Sequence, residues 1–389
     1  MAVTVDPTLL PEIQRYGAFD VAACFNCGNC TAVCPLTGDD ATFPRRIIRY
    51  AQVGMKAELL ASKELWTCYY CGECSETCPR QAEPGEFMAA ARRYAIASYD
   101  KTRLARTMYL QPIVGAVIAV MLAVVFAMFM YASHGPQSGD SLALFQFIPN
   151  ELIHSLGIAV MAVVFLAGIA GLVTMSRRIG RAEGVGLKTV FGGRAALARS
   201  GRALWVALGL ESLGQRRYRT DCEAAQEPTA WYRRRWLLHA LTMWGFLGLF
   251  GATIADYGLE LIGVKATGTP VPIWYPVRLL GTVSGAMLVF GVTMLILNRL
   301  QKANRSVRKS QSADWTLLSL LWLTGMSGFV LELALYLPQA PTWGYWVFLF
   351  HVAVAMELVL LAPFMKLAHV IYRPVALFFY ALKSSSAAG

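Results

Sequence analysis

Charged residues are scarce in this chain. Only 15% of its 389 residues are Asp, Glu, Lys or Arg, whereas 56% are hydrophobic. Soluble domains carry about 25% charged residues. The composition therefore excludes a wholly soluble protein and predicts that most of the chain lies in lipid.

Motifs for several kinds of chemistry are also missing. The sequence contains no phosphate-binding loop, no dinucleotide-binding glycine fingerprint and no nucleophile constellation. Flavin or substrate chemistry is therefore expected to belong to partner subunits. The first residues show no basic start followed by an apolar run, so no signal peptide is predicted.

Eight of the nine cysteines form two copies of one spacing, C-x2-C-x2-C-x3-C-P. The copies are Cys24, Cys27, Cys30 and Cys34 before Pro35, and Cys68, Cys71, Cys74 and Cys78 before Pro79. In bacterial ferredoxins this run holds [4Fe-4S] clusters, and its fourth cysteine ligates the other cluster. We therefore predict two [4Fe-4S] clusters, one held by Cys24, Cys27, Cys30 and Cys78, the other by Cys68, Cys71, Cys74 and Cys34.

Zinc or disulfides are the alternatives for these cysteines. Zinc sites usually separate two C-x2-C pairs, and disulfides belong to exported domains. The ninth cysteine, Cys222, lies in a polar loop and is expected to be incidental.

Beyond about residue 105 the sequence consists largely of long apolar runs. A helix needs roughly 20 apolar residues to cross a bilayer, and six runs meet this length: about 109–132, 151–174, 236–258, 276–298, 315–337 and 346–372. The predicted fold is therefore mainly α. It has an N-terminal α-helical dicluster ferredoxin-like domain over 1–105, followed by a six-helix transmembrane bundle over 106–380.

Lys and Arg are concentrated on one side of this bundle. The connecting segments 175–235 and 299–312 are rich in them, whereas 133–150, 259–275 and 338–345 contain only Lys265. Positive loops stay cytoplasmic, so the cluster domain is expected on the cytoplasmic face of an inner membrane. This rule accounts for the net charge of +11, and no nucleic-acid partner is expected. The stretch 195–215 is amphipathic and either lies at the membrane interface or docks a partner.

Four of the five histidines lie within predicted spans, where ionisable residues are costly and usually functional. His154 and His351 are near the outer face, and His239 and His369 near the inner face. On one continuous sixth helix, His351 and His369 would be five turns and about 27 Å apart on the same face. This pattern predicts two b-type haems, the outer held by His154 and His351 and the inner by His239 and His369. Packing hydrogen bonds are the alternative, and His134 is expected on the surface.

The sixth segment, FLFHVAVAMELVLLAPFMKLAHVIYRPV, resembles the last helix of the nitrate reductase gamma subunit and of the related heterodisulfide reductase E subunit. In that family two histidines at this spacing bind different haems. The segment WLLHALTMWGFLGLFG resembles the family's first haem helix and places His239 opposite His369. The family has a second histidine ten residues later, where this chain has Leu249, so the role of His154 rests on its depth alone.

The amino-terminal segments CFNCGNCTAVCP, FPRRIIRYAQVG and WTCYYCGECSETCP resemble the C subunit of heterodisulfide reductase. Such a domain ahead of a membrane domain like that of the E subunit is similar to the C subunits of quinone-interacting membrane-bound oxidoreductase complexes. This resemblance implies soluble flavin and iron-sulfur partner subunits on the cytoplasmic side. It also implies electron delivery to adenylylsulfate reductase.

The sequence thus predicts an electron-transfer subunit that connects menaquinone or ubiquinone, two haems b, two [4Fe-4S] clusters and soluble partners. Glu357 is the most conspicuous ionisable residue inside a span, and we expect it to relay protons for quinone near the outer haem. Asp256, Arg278 and Glu332 are expected towards that face, and Lys366 beside the inner haem. Alternatively, Glu357 bonds a neighbouring helix and Arg278 pairs with Glu332. The alternative functions are a redox-sensing or assembly membrane protein, or a subunit of a heterodisulfide reductase-like complex with a different terminal acceptor.

Overall fold

The computed structural model describes residues 4–38, 42–137, 142–221, 230–266, 271–303, 305–337 and 341–387. The amino-terminal part contains α1 (Leu9–Gln14), α2 (Asn29–Ala32), α3 (Arg45–Gln52), α4 (Lys56–Leu60), α5 (Glu64–Thr67), α6 (Glu73–Glu76), α7 (Pro84–Tyr99) and α8 (Leu104–Leu110). The remainder contains α9 (Pro112–Tyr131), α10 (Leu144–Phe147), α11 (Asn150–Glu183), α12 (Leu187–Phe191), α13 (Arg194–Trp205), α14 (Arg216–Asp221), α15 (Arg235–Leu261), α16 (Pro276–Leu300), α17 (Arg305–Arg308), α18 (Ser312–Tyr336), α19 (Trp343–Leu361) and α20 (His369–Ala387). The mainly α prediction is confirmed.

Six helices of the described chain are long and apolar enough to cross a membrane. They are α9, α11, α15, α16, α18 and the segment Trp343–Phe364. Large apolar side chains on their outer faces, such as Ile113, Phe129 and Phe165, are exposed. An apolar surface of this extent suits lipid and not water, as the six apolar runs predict.

The sixth helix is shorter than predicted. Helix α19 ends at Leu361, two 3₁₀ turns follow at Ala362–Phe364 and Lys366–Ala368, and α20 begins at His369. Pro363 has no N–H to donate to the preceding turn, and Met365 is extended, with φ −119° and ψ −168°. The prediction of one continuous helix over 346–372 is therefore wrong, and His351 and His369 do not share a helix face.

One hydrophobic core joins the cluster domain to one end of the bundle of membrane helices. It runs from α7 to Met175 and Ile179 of α11 and to Tyr372 of α20. The Trp66 ring lies 5.1 Å from the Tyr372 ring, centroid to centroid. Helix α11, at 34 residues or about 51 Å, is longer than a bilayer core and reaches this junction.

Buried ion pairs reinforce the same junction. Lys63 of the cluster domain bonds Glu183 at the end of α11. Arg93 of α7 lies 3.6 Å from Asp314 in the first turn of α18. The cluster domain is thus packed onto the bundle in a defined orientation.

The amphipathic stretch 195–215 forms α13 and a following π-helix, Val206–Leu213. Ala203 on one face packs with Leu382 of α20, whereas Leu204 and Trp205 are exposed.

Candidate redox centres

The two cysteine runs fold alike. The residue before each second cysteine is left-handed, with φ 61° at Asn26 and 57° at Tyr70. The glycine after that cysteine is also left-handed, with φ 94° at Gly28 and 101° at Gly72, a conformation that favours glycine. Each glycine precedes a one-turn helix, α2 or α6. Duplicated spacing has therefore produced a duplicated loop.

The cysteines gather into two groups that cross between the runs. One cavity is lined by Cys34 together with Cys68, Cys71 and Cys74. The thiol of Cys30 has Cys24, Cys27 and Cys78 among its electrostatic neighbours. The amide of Asn29 in α2 bonds the carbonyl of Thr77 beside α6, which holds the two runs together. These are the two groups that the fourth-ligand exchange predicts.

The donor set of each group fits a [4Fe-4S] cluster. All four donors are sulfur, and in each group one sulfur accepts a backbone N–H at 3.4 Å, Cys68 Sγ from Tyr70 and Cys78 Sγ from Ala82. Hydrogen bonds to sulfur are one way a protein tunes such clusters. Burial raises the pKa of the Cys34 thiol to about 12, so its thiolate needs the positive charge of bound iron.

A single zinc ion fits less well. Among the described residues no three His, Cys, Asp or Glu side chains converge as the ligands of one metal ion would. Cysteines around a four-iron cluster each bind a different iron, and so they stand farther apart.

The two groups differ in position. Cys27 is exposed, and Phe19 and Phe25 near it are exposed as well. Cys68 is buried, and Arg92 donates to its carbonyl oxygen across 2.8 Å. The group containing Cys27 therefore reaches the surface, whereas the group containing Cys68 has no exposed cysteine. We call them the exposed and the buried cysteine group.

The predicted inner histidines meet. The rings of His239 on α15 and His369 on α20 have centroids 6.1 Å apart. Two imidazoles on opposite sides of one metal, with bonds of about 2.0 Å, would have centroids roughly 6 Å apart. Nδ1 of His369 lies 2.7 Å from the Lys366 carbonyl, which leaves Nε2 for a metal. With no third protein ligand among the described residues, this pair fits a haem, whose own ring supplies the other four nitrogens.

The predicted outer histidines do not meet. His154 stacks on Tyr257 at 4.0 Å and points its Nδ1 at the Asn150 carbonyl, 2.9 Å away. His351 instead faces α18, where its Nδ1 lies 2.9 Å from the Ser327 hydroxyl oxygen. In the described part of the chain no ring contact joins His154 to His351. His134 is exposed, as expected.

Direct contacts connect the inner histidines to the buried cysteine group. Arg235, one helical turn before His239, donates to the carbonyl oxygens of Tyr70 at 2.9 Å and Cys71 at 3.3 Å. Tyr218 lies edge-on to His239 at 5.8 Å between centroids. Its ring also stacks on Tyr69, the neighbour of Cys68, at 5.2 Å.

A charged network surrounds Tyr69. The Arg373 guanidinium lies 4.0 Å over the Tyr69 ring, and the Tyr69 hydroxyl donates to Glu211 across 3.3 Å. Glu211 is buried within the π-helix and is held by Arg216 at 2.9 Å. Such π-helical segments occur frequently at functional sites.

Sequence reasoning missed these connecting residues. In the sequence Arg235 is one of many positive charges in the segment 175–235. Tyr69 could have been noticed because it follows a cluster cysteine, whereas nothing in the sequence marks Tyr218 or Glu211.

Glu357 is 2% exposed, and its Oε1 has no hydrogen-bond partner among the described residues. The other ionisable residues named for the spans are paired. Arg278 lies 3.5 Å from Glu332, Lys265 lies 2.7 Å from Asp256, and Lys366 lies 2.9 Å from Asp314. Cys222 lies outside the described residues.

In comparison with known proteins, the amino-terminal part of the chain and the membrane part match different families. A 4Fe-4S dicluster domain model matches residues 20–82, and a model described as citrate utilization protein B matches residues 100–389. Citrate utilization protein B of Escherichia coli is 26% identical over 278 residues, which cover 68% of this chain and 67% of that protein.

The amino-terminal part has relatives of its own. The C subunit of the H(2):CoB-CoM heterodisulfide,ferredoxin reductases of Methanothermobacter thermautotrophicus and Methanothermobacter marburgensis is 36% identical over 62 residues. This match covers 16% of the chain and 34% of each relative. No solved structure matches the chain.

These matches confirm the dicluster domain, its two [4Fe-4S] clusters and the likeness to the C subunit of heterodisulfide reductase. They relate the membrane half to citrate utilization protein B. The haems, the quinone and the resemblance to quinone-interacting oxidoreductase complexes stay predictions.

Proposed function

Since the chain belongs to the citrate utilization protein B family, we propose that it carries electrons between a soluble oxidoreductase and the membrane quinone pool. The observation that carries this proposal is the bonding of Arg235 to the Tyr70 and Cys71 carbonyls. It joins the helix that bears His239 to the buried cysteine group, so the histidine pair and these cysteines are held side by side.

Two separate sets of residues are proposed to hold the cofactors. Cys34, Cys68, Cys71 and Cys74 hold the cluster nearer the membrane, and His239 and His369 hold a haem b. Bound clusters and haem supply one-electron carriers at these places. Arg235 fixes the cysteine loop against α15, while the stacked rings of Tyr69 and Tyr218 fill the space between the two sites and exclude water.

Positive side chains stabilise added negative charge at the buried cysteine group. Arg92 donates to the Cys68 carbonyl, and Arg373 lies over Tyr69. Cationic groups near a redox site favour its reduced form, so these arginines should raise the reduction potential of the inner cluster.

The exposed cysteine group is the entry or exit point for the soluble partner. Cys27 and the apolar side chains of Phe19 and Phe25 lie at the surface there. The partner is proposed to be a flavin or iron-sulfur oxidoreductase subunit. Because the relative is named for citrate utilization, we propose a small carboxylate as the partner's substrate. Delivery to adenylylsulfate reductase, which the resemblance of the domain order implies, stays a prediction.

On the membrane side, we propose that quinone exchanges protons with Glu357. This carboxylate is buried without a partner for Oε1 among the described residues, and burying an unpaired polar group costs stability. A proton-exchanging role would explain why such a group is present.

The purified full chain tests the proposal. It should bind haem, contain about eight irons in clusters, and after reduction by dithionite transfer electrons rapidly to a soluble quinone analogue. Haem absorbance follows the re-oxidation directly. A chain that carries clusters but whose reduced cofactors do not react with quinone would support the redox-sensor alternative instead.

A further inference from the structure

A cavity of about 280 Å³ opens where the cluster domain meets the first membrane span. Its lining residues are Arg15, Arg103, Arg106, Thr107, Leu110 and Gln111. Arg15 caps the end of α1, whereas Arg103 precedes α8. Two distant parts of the chain therefore contribute positive charge to one cavity.

The charge in this cavity is not neutralised by the protein. Within the described residues none of the three arginines has a carboxylate within 4 Å, whereas Arg46 and Arg93 elsewhere in the cluster domain each pair with one. Like charges that converge without a counterion repel one another. A bound anion would relieve this repulsion, and guanidinium groups are suited to phosphate because they donate two parallel hydrogen bonds.

The cavity lies at headgroup depth. Gln111 is the residue immediately before α9, whose span begins at Pro112. From there α9 continues with exposed apolar side chains at Ile113, Val114 and Val117. A ligand seated on the arginines would thus have its apolar part beside a lipid-facing helix.

We propose that this cavity binds the phosphate of an anionic phospholipid. Arg15, Arg103 and Arg106 bind the headgroup oxygens, Gln111 adds an uncharged hydrogen-bond donor, and the acyl chains lie along α9. Basic pockets on the cytoplasmic side of membrane proteins recognise such headgroups. The lipid bridges α1 of the cluster domain to the start of the bundle, and so it helps to hold the clusters over the inner histidines.

Lipid binding to the purified full chain in detergent tests this site. Native mass spectrometry would count bound phosphatidylglycerol and phosphatidylcholine in separate titrations. We expect a clear preference for phosphatidylglycerol, and a weakening of about fivefold for each of Arg15→Gln, Arg103→Gln and Arg106→Gln, the attraction that one basic side chain adds at an anionic surface. Arg202→Gln, a change at another exposed cytoplasmic arginine, is the matched control and should leave binding unchanged.

The outcomes separate the lipid from other sources of phosphate. Inorganic phosphate at millimolar concentration should compete only weakly, because it lacks acyl chains. Equal binding of the two lipids, or an Arg15→Gln variant that behaves like the Arg202→Gln control, would overturn the proposal. So would complete displacement of lipid by inorganic phosphate, which would assign the cavity to a soluble anion. Cluster absorbance and thermal unfolding of each single variant show whether it is folded.

Discussion

The guanidinium of Arg235 donates to the carbonyl oxygen of Tyr70 across 2.9 Å. Arg235 lies one turn before His239, and Tyr70 lies between Cys68 and Cys71 in the second cysteine run. This bond therefore helps to position a histidine site relative to a cysteine site across the boundary between two domains.

Arg235→Gln should retain both kinds of cofactor but slow electron transfer between them several-fold, because the cysteine loop is no longer held against α15. Stopped-flow measurement of haem reduction after the clusters are reduced would show the change. Arg234→Gln, at the preceding exposed position, is the control and should transfer at the original rate. Loss of haem in Arg235→Gln would mean that the arginine supports binding instead.

Cys34→Ser and Cys78→Ser test the crossed ligand groups. Cys34→Ser should damage the cluster held by Cys68, Cys71 and Cys74, because Cys34 lines their cavity. Electron paramagnetic resonance of the reduced chain would identify which cluster is altered. Damage by each variant to the cluster of its own run would show that the ligands do not cross.

The histidine pair can be tested through its spectrum. His239→Ala and His369→Ala should each abolish the same haem signal, since their rings face each other at 6.1 Å. His134→Ala, at an exposed position, should leave the haem signal unchanged. His351→Ala and His154→Ala decide whether a second haem exists: loss of a second signal in both would restore the predicted outer pair, despite the separate contacts of their rings.

Glu357→Gln should keep the haem and slow quinone turnover, because an amide cannot exchange the proton that a quinone needs. Steady-state assays with a quinone analogue, with haem content measured in parallel, would give the effect. Glu332→Gln breaks a pair with Arg278 and should affect stability more than turnover. A Glu357→Gln enzyme with full turnover would remove this residue from the quinone site.

Glu183→Gln should weaken the junction between the domains. It leaves Lys63, which is 6% exposed, with only Glu64 at 3.6 Å as a charged partner, and a hydrogen bond to a charged group contributes about 1.5–3 kcal/mol. Thermal unfolding monitored by cluster absorbance would show a lower midpoint. Glu151→Gln, an exposed change at the other end of α11, should leave the midpoint unchanged.

Sequence patterns alone determined the features that depend on local chemistry. The spacing Cys24-x2-Cys27-x2-Cys30 is imposed by the size of a cluster, so it is recognisable without a fold. The spans are predictable because a bilayer requires a minimum apolar length. The sixth span is predicted too long because Pro363 lies within a continuous apolar run, although a proline cannot complete the helical hydrogen bonds there.

Tertiary packing decided which of the predicted residues meet. His239 and His369 are 130 residues apart and face each other only because the fold brings the first turns of α15 and α20 together, whereas the rings of His154 and His351 turn towards different helices. Depth in the membrane, which the sequence supplies, sets one coordinate of a side chain. Its direction around the helix and its neighbour across the interface depend on how the helices pack, and so the connection from Cys71 through Arg235 to His239 was visible only in the folded chain.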